Sequence, residues 1–260
     1  MESKNKDCPE ILYTGVAHLS NTLFKTYVAA YINTKTLIVH QHGAGGTFKK
    51  INPTYDYEAS IASKYFVLGK YLPTTNSCYV SGAFCEQKNE TRFASHSGVL
   101  LTLLAMPKYV FRFSMNPMCS RHAKQIDDTI KFINLLGFGN NLFVRFSKHD
   151  YGWNVKNIIT NNCKSFSESS TDNKFRGEAA KYRINVFNYL GTTWTESLTI
   201  NTPTVVFYDD EVYSVRQEFE DLLAELVEVG ILHTSPESAA KHVIEVYKDM
   251  ELWWMSNKVQ

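Results

Sequence analysis

The stretch RINVFNYLGTTWTE, residues 183–196, decides the fold class. Its first half is rich in apolar and aromatic residues and predicts a buried strand over 183–189. Gly191 follows, and the polar segment after it has the composition of a helix start. A strand that passes through a glycine turn directly into a helix is the repeating unit of parallel α/β folds. The segment therefore predicts an α/β protein in which helices cover a parallel sheet.

The same alternation recurs on both sides of this segment. Further strands are predicted at 11–16, 36–41, 65–69, 99–105, 142–146 and 204–208. Helices are predicted at 23–31, 121–136, 215–229 and 234–254, the last opening on a capping box of Thr234 and Glu237. The polar stretch 73–98 predicts an interdomain connection, and 161–172 predicts a surface loop. We therefore divide the chain into domains over 1–97 and 98–260.

The composition excludes several classes of protein. Of the 260 residues, 44% are apolar and 20% are charged, which favours a packed core over disorder. A net charge of +1 argues against a nucleic-acid-binding surface, so any anion site must be local. Five cysteines without a C-x-x-C pair indicate reduced thiols and no zinc site. Without an export signal or an apolar run long enough to span a bilayer, we predict a cytoplasmic protein with no transmembrane segment.

The loop QHGAGG, residues 41–46, follows a predicted strand. Its glycines allow the backbone to approach an anion or a sugar, and His42 can act as a base or a hydrogen-bond donor near neutral pH. The spacing matches neither the dinucleotide-binding fingerprint nor the P-loop. A glycine turn with a structural histidine is the open alternative. Gln41, Gly43 and His18, which follows the first strand, are candidate cleft residues.

The helix start at Thr192 and Thr193 is a second candidate site. Hydroxyl groups and backbone N–H groups at a helix N-terminus suit a phosphate, and Glu196 one turn later can accept hydrogen bonds from ribose hydroxyls. The alternative is that Thr193 and Glu196 form an ordinary capping box.

The segment RFSKHDYGW, residues 145–153, leaves a predicted strand through charged and aromatic residues. Arg145 can pair with a phosphate, and Trp153 can stack on a base. Asp150, Trp153 and Arg112 are further candidate cleft residues, and a surface pair of Arg145 with Asp150 is the open alternative. Arg112, just after the 99–105 strand, would add a second cation at the same edge of the sheet.

The sequence resembles, over nearly its whole length, a family of bacterial transferases of surface-carbohydrate and O-antigen biosynthesis. The motifs that carry the resemblance are TGVAHLSNTLFK (14–25), QHG (41–43), DYE (56–58), YF (65–66), Arg145 with DYGW (150–153), TTWTESL (192–198), NTPT (201–204), GILHTSPE (230–237) and WW (253–254). One departure is Ala44, which stands where the family usually has a second glycine after the histidine.

The resemblance implies a GT-B-like architecture with a complete C-terminal Rossmann-like lobe and a partial N-terminal α/β lobe. It implies that Thr192, Thr193 and Glu196 hold a nucleotide-sugar donor and that Arg145 neutralises phosphate charge. It also implies that His42 acts either as a base toward the acceptor or as a hydrogen-bond donor to the leaving group. Such enzymes generally need no cofactor and no essential metal.

The function implied is transfer of a sugar from a nucleotide-sugar donor to a glycan or lipid-linked acceptor, at the inner face of the membrane or free in the cytoplasm. One alternative is a non-catalytic nucleotide-binding remnant or subunit, with a partner chain that completes the N-terminal lobe. A nucleotide-sugar epimerase is the less favoured alternative.

Overall fold

Parallel strand pairing organises the chain into two sheets. The computed structural model describes residues 9–43, 47–68, 76–79, 98–110, 117–172 and 174–260. Its strands are β1 Ile11–Thr14, β2 Thr36–His40, β3 Lys64–Val67, β4 Ser77–Tyr79, β5 Val99–Thr102, β6 Leu142–Arg145, β7 Ser167–Glu168, β8 Ile184–Phe187, β9 Thr204–Phe207 and β10 Leu232–His233. The sheet orders are β1-β2-β3-β4 and β10-β9-β8-β5-β6-β7, and neighbouring strands within each sheet are parallel.

Helices connect most of these strands. They are α1 Ala17–Ser20, α2 Thr22–Tyr31, α3 Pro53–Ile61, α4 Ser120–Leu136, α5 Val155–Asn162, α6 Phe175–Ala179, α7 Thr192–Thr199, α8 Glu220–Glu228, α9 Pro236–Val246 and α10 Met250–Trp254. Local capping explains several starts. The side chain of Asn21 accepts a hydrogen bond from the Phe24 amide at α2, and the Asn52 side chain does the same for the Tyr55 amide at α3.

The chain divides into two compact units. The first unit comprises Met1–Thr47 and Ile51–Glu86, and the second comprises Phe48–Lys50 and Gln87–Gln260. We predicted a domain boundary after residue 97. Residues 80–97, which directly precede it, lie outside the described residues. The short segment Phe48–Lys50 belongs to the second unit. The sequence did not predict this assignment.

The sheet of the first unit is covered by helices on one face. Leu12, Leu37 and Tyr65 point into a core against which α2 and α3 pack. The alternating residues Ile11 and Tyr13 on β1 are 57% and 59% exposed. This alternation is typical of a sheet with one face packed and the other open.

The sheet of the second unit is covered on both faces. Every residue of β5, β8 and β9 is buried. Helix α4 packs against α5 and α9, and α6 packs against α7, which gives a helix layer on each side. Continuous burial of parallel strands is the signature of a doubly wound sheet. The α/β prediction is therefore confirmed for both units.

Three predicted elements were wrong in detail. The connection predicted over 73–98 contains β4, which pairs with β3, and the loop predicted over 161–172 contains β7, which pairs with β6. Both strands are short and polar, and pairing with a partner strand stabilises them where local propensity does not. The helix predicted from residue 215 begins later, because Val215 forms an antiparallel bridge with Lys49.

The capping box predicted at Thr234 was also wrong. Ser235 caps α9, and its side chain accepts from the Ser238 amide, with Pro236 in the first turn. The helix then stops at Val246 and a separate helix, α10, carries the tryptophans. Gly230 ends the preceding helical segment with φ of 79°, as predicted.

Replacing Phe132 with alanine should lower the free energy of unfolding of the second unit by about 3–5 kcal/mol. Phe132 is fully buried and stacks on Phe207 with ring centroids 4.9 Å apart. Urea denaturation followed by tryptophan fluorescence measures the loss, because all four tryptophans lie in the second unit. Leu135→Ala on the same helix is the control; this side chain is 50% exposed, so the change should stay within about 0.5 kcal/mol. Equal losses would contradict the inward orientation of Phe132.

Candidate functional site

The order of strands in the second unit places a switch point between β5 and β8. From β5 the chain continues to β6 and β7 on one side, and β8 to β10 lie on the other. Ligands of open α/β sheets bind at the carboxyl ends of strands where the order reverses in this way. At this edge Thr102 pairs in register with Arg145 on one side and with Phe187 on the other. The switch point therefore brings Arg145 to the same edge of the sheet as the segment 183–196.

Helix α7 begins at this edge, four residues after β8 ends. Gly191 is its N-cap residue, and no side chain caps the helix. The predicted capping box of Thr193 and Glu196 was therefore wrong: Thr193 already lies within the helix. The backbone N–H groups of the first turn face outward from an uncapped helix end, which favours a negatively charged group.

Tyr189 connects the predicted residues around this helix start. Its hydroxyl hydrogen-bonds with the Thr193 hydroxyl. Burial raises the pKa of Tyr189, while the Thr193 hydrogen bond and the charge of Arg145 act in the opposite direction. The Arg145 guanidinium donates to the carbonyl of Ser170. Tyr189 thus remains a neutral hydroxyl that is bonded to Thr193 at the start of α7, a contact that the sequence did not indicate.

Glu196 lies one turn into α7 and is half-buried. Burial raises the pKa of this carboxyl, and the positive charge of Arg176 acts in the opposite direction. Thr192, Thr193 and Glu196 therefore share the first turns of α7, as predicted, with Arg176 as an additional cation.

Lys49 supplies another cation that the sequence did not indicate. Its ammonium group lies 5.4 Å from the centre of the Tyr213 ring, and burial lowers its pKa. Tyr213 in turn interacts electrostatically with Tyr189. The neighbouring Phe48 packs near Trp194 of α7, with ring centroids 6.3 Å apart. Lys49 is therefore held on the same side of the second unit as the start of α7.

Asn188 fixes the loops that surround this edge. Its side-chain carbonyl accepts from the Leu104 amide at 2.8 Å, and its side-chain amide donates to the Thr129 hydroxyl at 2.9 Å. Its backbone carbonyl accepts from Gln125. Because Asn188 ties the β5 and β8 loops to α4, the start of α7 is supported by a rigid frame.

Asp150 shapes its own loop, because its carboxylate accepts a hydrogen bond from the Asn154 amide at 2.9 Å. Trp153 lies edge-on to His122, 5.0 Å between ring centroids, with Lys108 over its face. Arg112 lies outside the described residues. The roles predicted for these three side chains in a cleft remain predictions.

The loop after β2 is held by Gln41 in the first unit. The buried Gln41 side chain donates to the Gly43 carbonyl at 3.0 Å and to the Thr47 hydroxyl, and it accepts from the Leu68 amide. His42 is exposed to solvent between these anchored neighbours. Gln41 therefore positions the loop, and His42 presents its ring at the carboxyl end of β2.

His18 is buried and bonded to a carboxylate. Its Nε2 lies 2.9 Å from Oε1 of Glu58, whose second oxygen accepts from the Tyr65 hydroxyl at 2.5 Å. His18 follows β1 and His42 follows β2, and these adjacent strands are parallel. Both histidines therefore stand at the same edge of the first sheet.

No group of three or more His, Cys, Asp or Glu side chains in the described part of the chain is arranged to hold a metal ion. No helix described in the structure is long and apolar enough to cross a membrane.

A model of the LIC12162 family of transferases matches residues 1–260, and the chain belongs to this family. No curated protein matches the chain significantly.

Solved structures match along almost the whole chain. The co-structure of S. aureus MnaA with UDP matches with 14% identity and a TM-score of 0.53, over 96% of this chain and 68% of MnaA. The rhamnosyltransferase SpnG, complexed with spinosyn aglycone, matches with 12% identity and a TM-score of 0.47, over 96% of this chain and 66% of SpnG. The chain thus spans about two thirds of the length of each. The fold is α/β and GT-B-like, as predicted.

Replacing Gly191 with alanine should destabilise the second unit by about 1–3 kcal/mol. The added Cβ would lie 2.2 Å from the Tyr189 ring, so the ring must move and its hydrogen bond with Thr193 must break. Urea denaturation measures the change. Gly177→Ala in α6 is the control: its Cβ meets no atom within 4 Å, and alanine should stabilise that helix by up to about 1 kcal/mol. A stabilising Gly191→Ala variant would contradict the packing described at the helix start.

Proposed function

We propose that this protein is a glycosyltransferase that transfers a sugar from a nucleotide-sugar donor during bacterial surface-polysaccharide assembly, of O-antigen or capsule. One observation carries the proposal: helix α7, which no side chain caps, starts at the switch point of a doubly wound sheet, at the edge where Arg145 ends β6. Membership of a transferase family supports a transfer reaction.

The second unit provides the chemistry that a nucleotide sugar requires. Its diphosphate would accept hydrogen bonds from the first turn of α7 and from the Thr193 hydroxyl. Arg145 and Lys49 would neutralise the charge that develops on the departing nucleoside diphosphate, a task that otherwise falls to a metal ion. Glu196 would accept hydrogen bonds from the ribose hydroxyls. On this proposal the reaction uses no cofactor.

The first unit would serve the acceptor, a glycan or a lipid-linked sugar. His42 would take the proton of the acceptor hydroxyl as that oxygen bonds to the sugar carbon. The bond from the sugar carbon to phosphate breaks in the same step, and the nucleoside diphosphate leaves with the electron pair. The donor and a membrane-bound acceptor would meet in the cytoplasm at the inner face of the membrane.

The edge of the first sheet favours a second candidate function. Among the described residues β1 pairs only with β2, so its other edge can accept a further strand. A partner chain that adds to this edge would complete the first unit, and this chain would then be a nucleotide-binding subunit. That candidate predicts nucleotide binding without transfer by the isolated chain.

The purified chain should bind a nucleoside diphosphate saturably. We would titrate UDP, GDP, dTDP and CMP by calorimetry, starting with UDP because the MnaA co-structure contains it. Lys49→Met should weaken binding of the preferred diphosphate about tenfold or more, because a charge-assisted contact is lost. Lys50→Met is the matched control, since Lys50 is the exposed neighbour of Lys49. No binding of any nucleotide would overturn the donor site, and equal effects at both lysines would remove Lys49 from it.

His42→Ala should lower turnover about 10²–10⁴-fold and leave nucleotide affinity nearly unchanged, because general-base catalysis contributes that much. Turnover is measured as release of the nucleoside diphosphate from its nucleotide sugar in the presence of acceptor glycans. The exposed His149, in the second unit, gives the control variant His149→Ala, which should retain activity. Parallel losses of turnover and affinity in His42→Ala would contradict a catalytic role. A native chain that binds nucleotide but transfers nothing supports the subunit function instead.

A further inference from the structure

A groove of about 280 Å³ lies in the first unit beside helices α2 and α3. None of its lining residues belongs to the donor site or to the loop of His42. The lining residues are His18, Phe24, Lys25, Val28, Ala29, Ile32, Leu37, Tyr57, Ser60 and Ile61.

The walls of this groove are mostly apolar. Phe24, Val28 and Ile32 follow one another at intervals of four residues, so they form one stripe along α2 and its C-terminal end. An apolar stripe of this kind normally packs into a core. Here no residue of α2 is fully buried, although the fully buried Leu37 lies beneath it. The stripe therefore lines a space that an apolar molecule can fill.

His18 adds a buried polar group to this mostly apolar groove. Its side chain is 2% exposed. Its Nε2 bonds to Glu58, whose other oxygen is occupied by the Tyr65 hydroxyl. Burial, and then the hydrogen bond to Glu58, raises the pKa of Tyr65, which keeps that hydroxyl a donor. Because Glu58 accepts at both oxygens, Nε2 carries a proton, and Nδ1 accepts a hydrogen bond in a neutral ring or donates one in a charged ring.

Nδ1 of His18 has no hydrogen-bond partner among the described residues. A buried ring nitrogen without a partner costs about 1–3 kcal/mol, which a hydroxyl group would recover because it can both donate and accept a hydrogen bond. An anion is disfavoured at this position, because the Glu58 carboxylate lies on the other side of the ring. The group that suits His18 is therefore a neutral hydroxyl carried by an apolar molecule.

We propose that this groove binds a hydroxyl-bearing apolar molecule, with its apolar body along α2 and its hydroxyl on Nδ1 of His18. The assignment deepens the proposed function and rests on it: the groove would hold an apolar portion of the acceptor. Tyr57, whose ring stacks on His18 with centroids 6.3 Å apart and is partly exposed, covers the imidazole and would shift to admit the hydroxyl.

Two probes that differ in one hydroxyl test the proposal. An engineered cavity of about 150 Å³ accepts benzene, so a groove of this size suits a ring with a short chain. We would titrate the full chain with 4-propylphenol and with propylbenzene, using ligand-observed saturation-transfer NMR. Both should bind saturably, and the phenol should bind about 2- to 10-fold more tightly because it gains one hydrogen bond. Absence of saturable binding by the phenol would overturn the proposal.

Substitutions in and beside the groove test where the two probes bind. Ala29 lines the groove and Ala30 does not, although both are exposed on α2. Ala29→Trp should abolish binding of both probes by filling the groove, whereas Ala30→Trp should leave it unchanged. Equal behaviour of the two variants would overturn the location. His18→Phe should remove the preference for the phenol, and a preference that survives in this variant would exclude His18 as its origin.

Titration with UDP in the same sample separates this proposal from the proposed function. Binding of UDP without the phenol would overturn the groove and leave the donor site intact. Binding of the phenol without any nucleotide would overturn the assignment of the groove to an acceptor.

Discussion

The parallel pairing of β5 with β8 is the constraint on which the second unit depends. Both strands are buried along their whole length, so their backbone groups must pair with each other and with β6 and β9. Once that pairing is fixed, the connections that follow β5 and β8 leave the sheet at the same edge. The uncapped start of α7 and the end of β6 then lie at the same edge of the sheet, on either side of β5, although the chain separates them widely.

The environment of this edge combines positive charge with low exposure. Tyr189 and Tyr213 have raised pKa values because they are buried, so they remain neutral hydroxyls that add no negative charge. Lys49 is partly buried against Tyr213 and stays close to these rings. Electrostatic attraction for an anion is stronger in such a setting than on an open surface. This is the physical basis of the phosphate site that we propose there.

In the first unit a buried polar network positions the candidate site residues, whereas in the second unit the candidate site lies at the start of a helix. The contacts of Glu58 with His18 and Tyr65 join α1, α3 and β3, so one carboxylate holds three elements together. The Gln41 side chain likewise connects two parts of the chain, because it hydrogen-bonds to Gly43 in the loop after β2 and to Leu68 after β3. Two histidines at one edge of this sheet therefore differ in character: His42 is exposed, and His18 is oriented by its carboxylate.

The sequence by itself determined the alternation of strands and helices, the helix start after β8 and the histidine loop after β2, because those features depend on local hydrophobic period, glycine and composition. It did not determine β4 and β7, which are too short and polar to show a strand pattern. Only the tertiary structure decided that Thr102 lies between Arg145 and Phe187 and that Lys49 joins the second unit. The contacts responsible connect distant residues: His18 and Glu58 are 40 positions apart, and Lys49 and Arg216 are 167 apart. Hydrogen bonds across such separations follow from how the elements pack, which no local pattern of residues encodes.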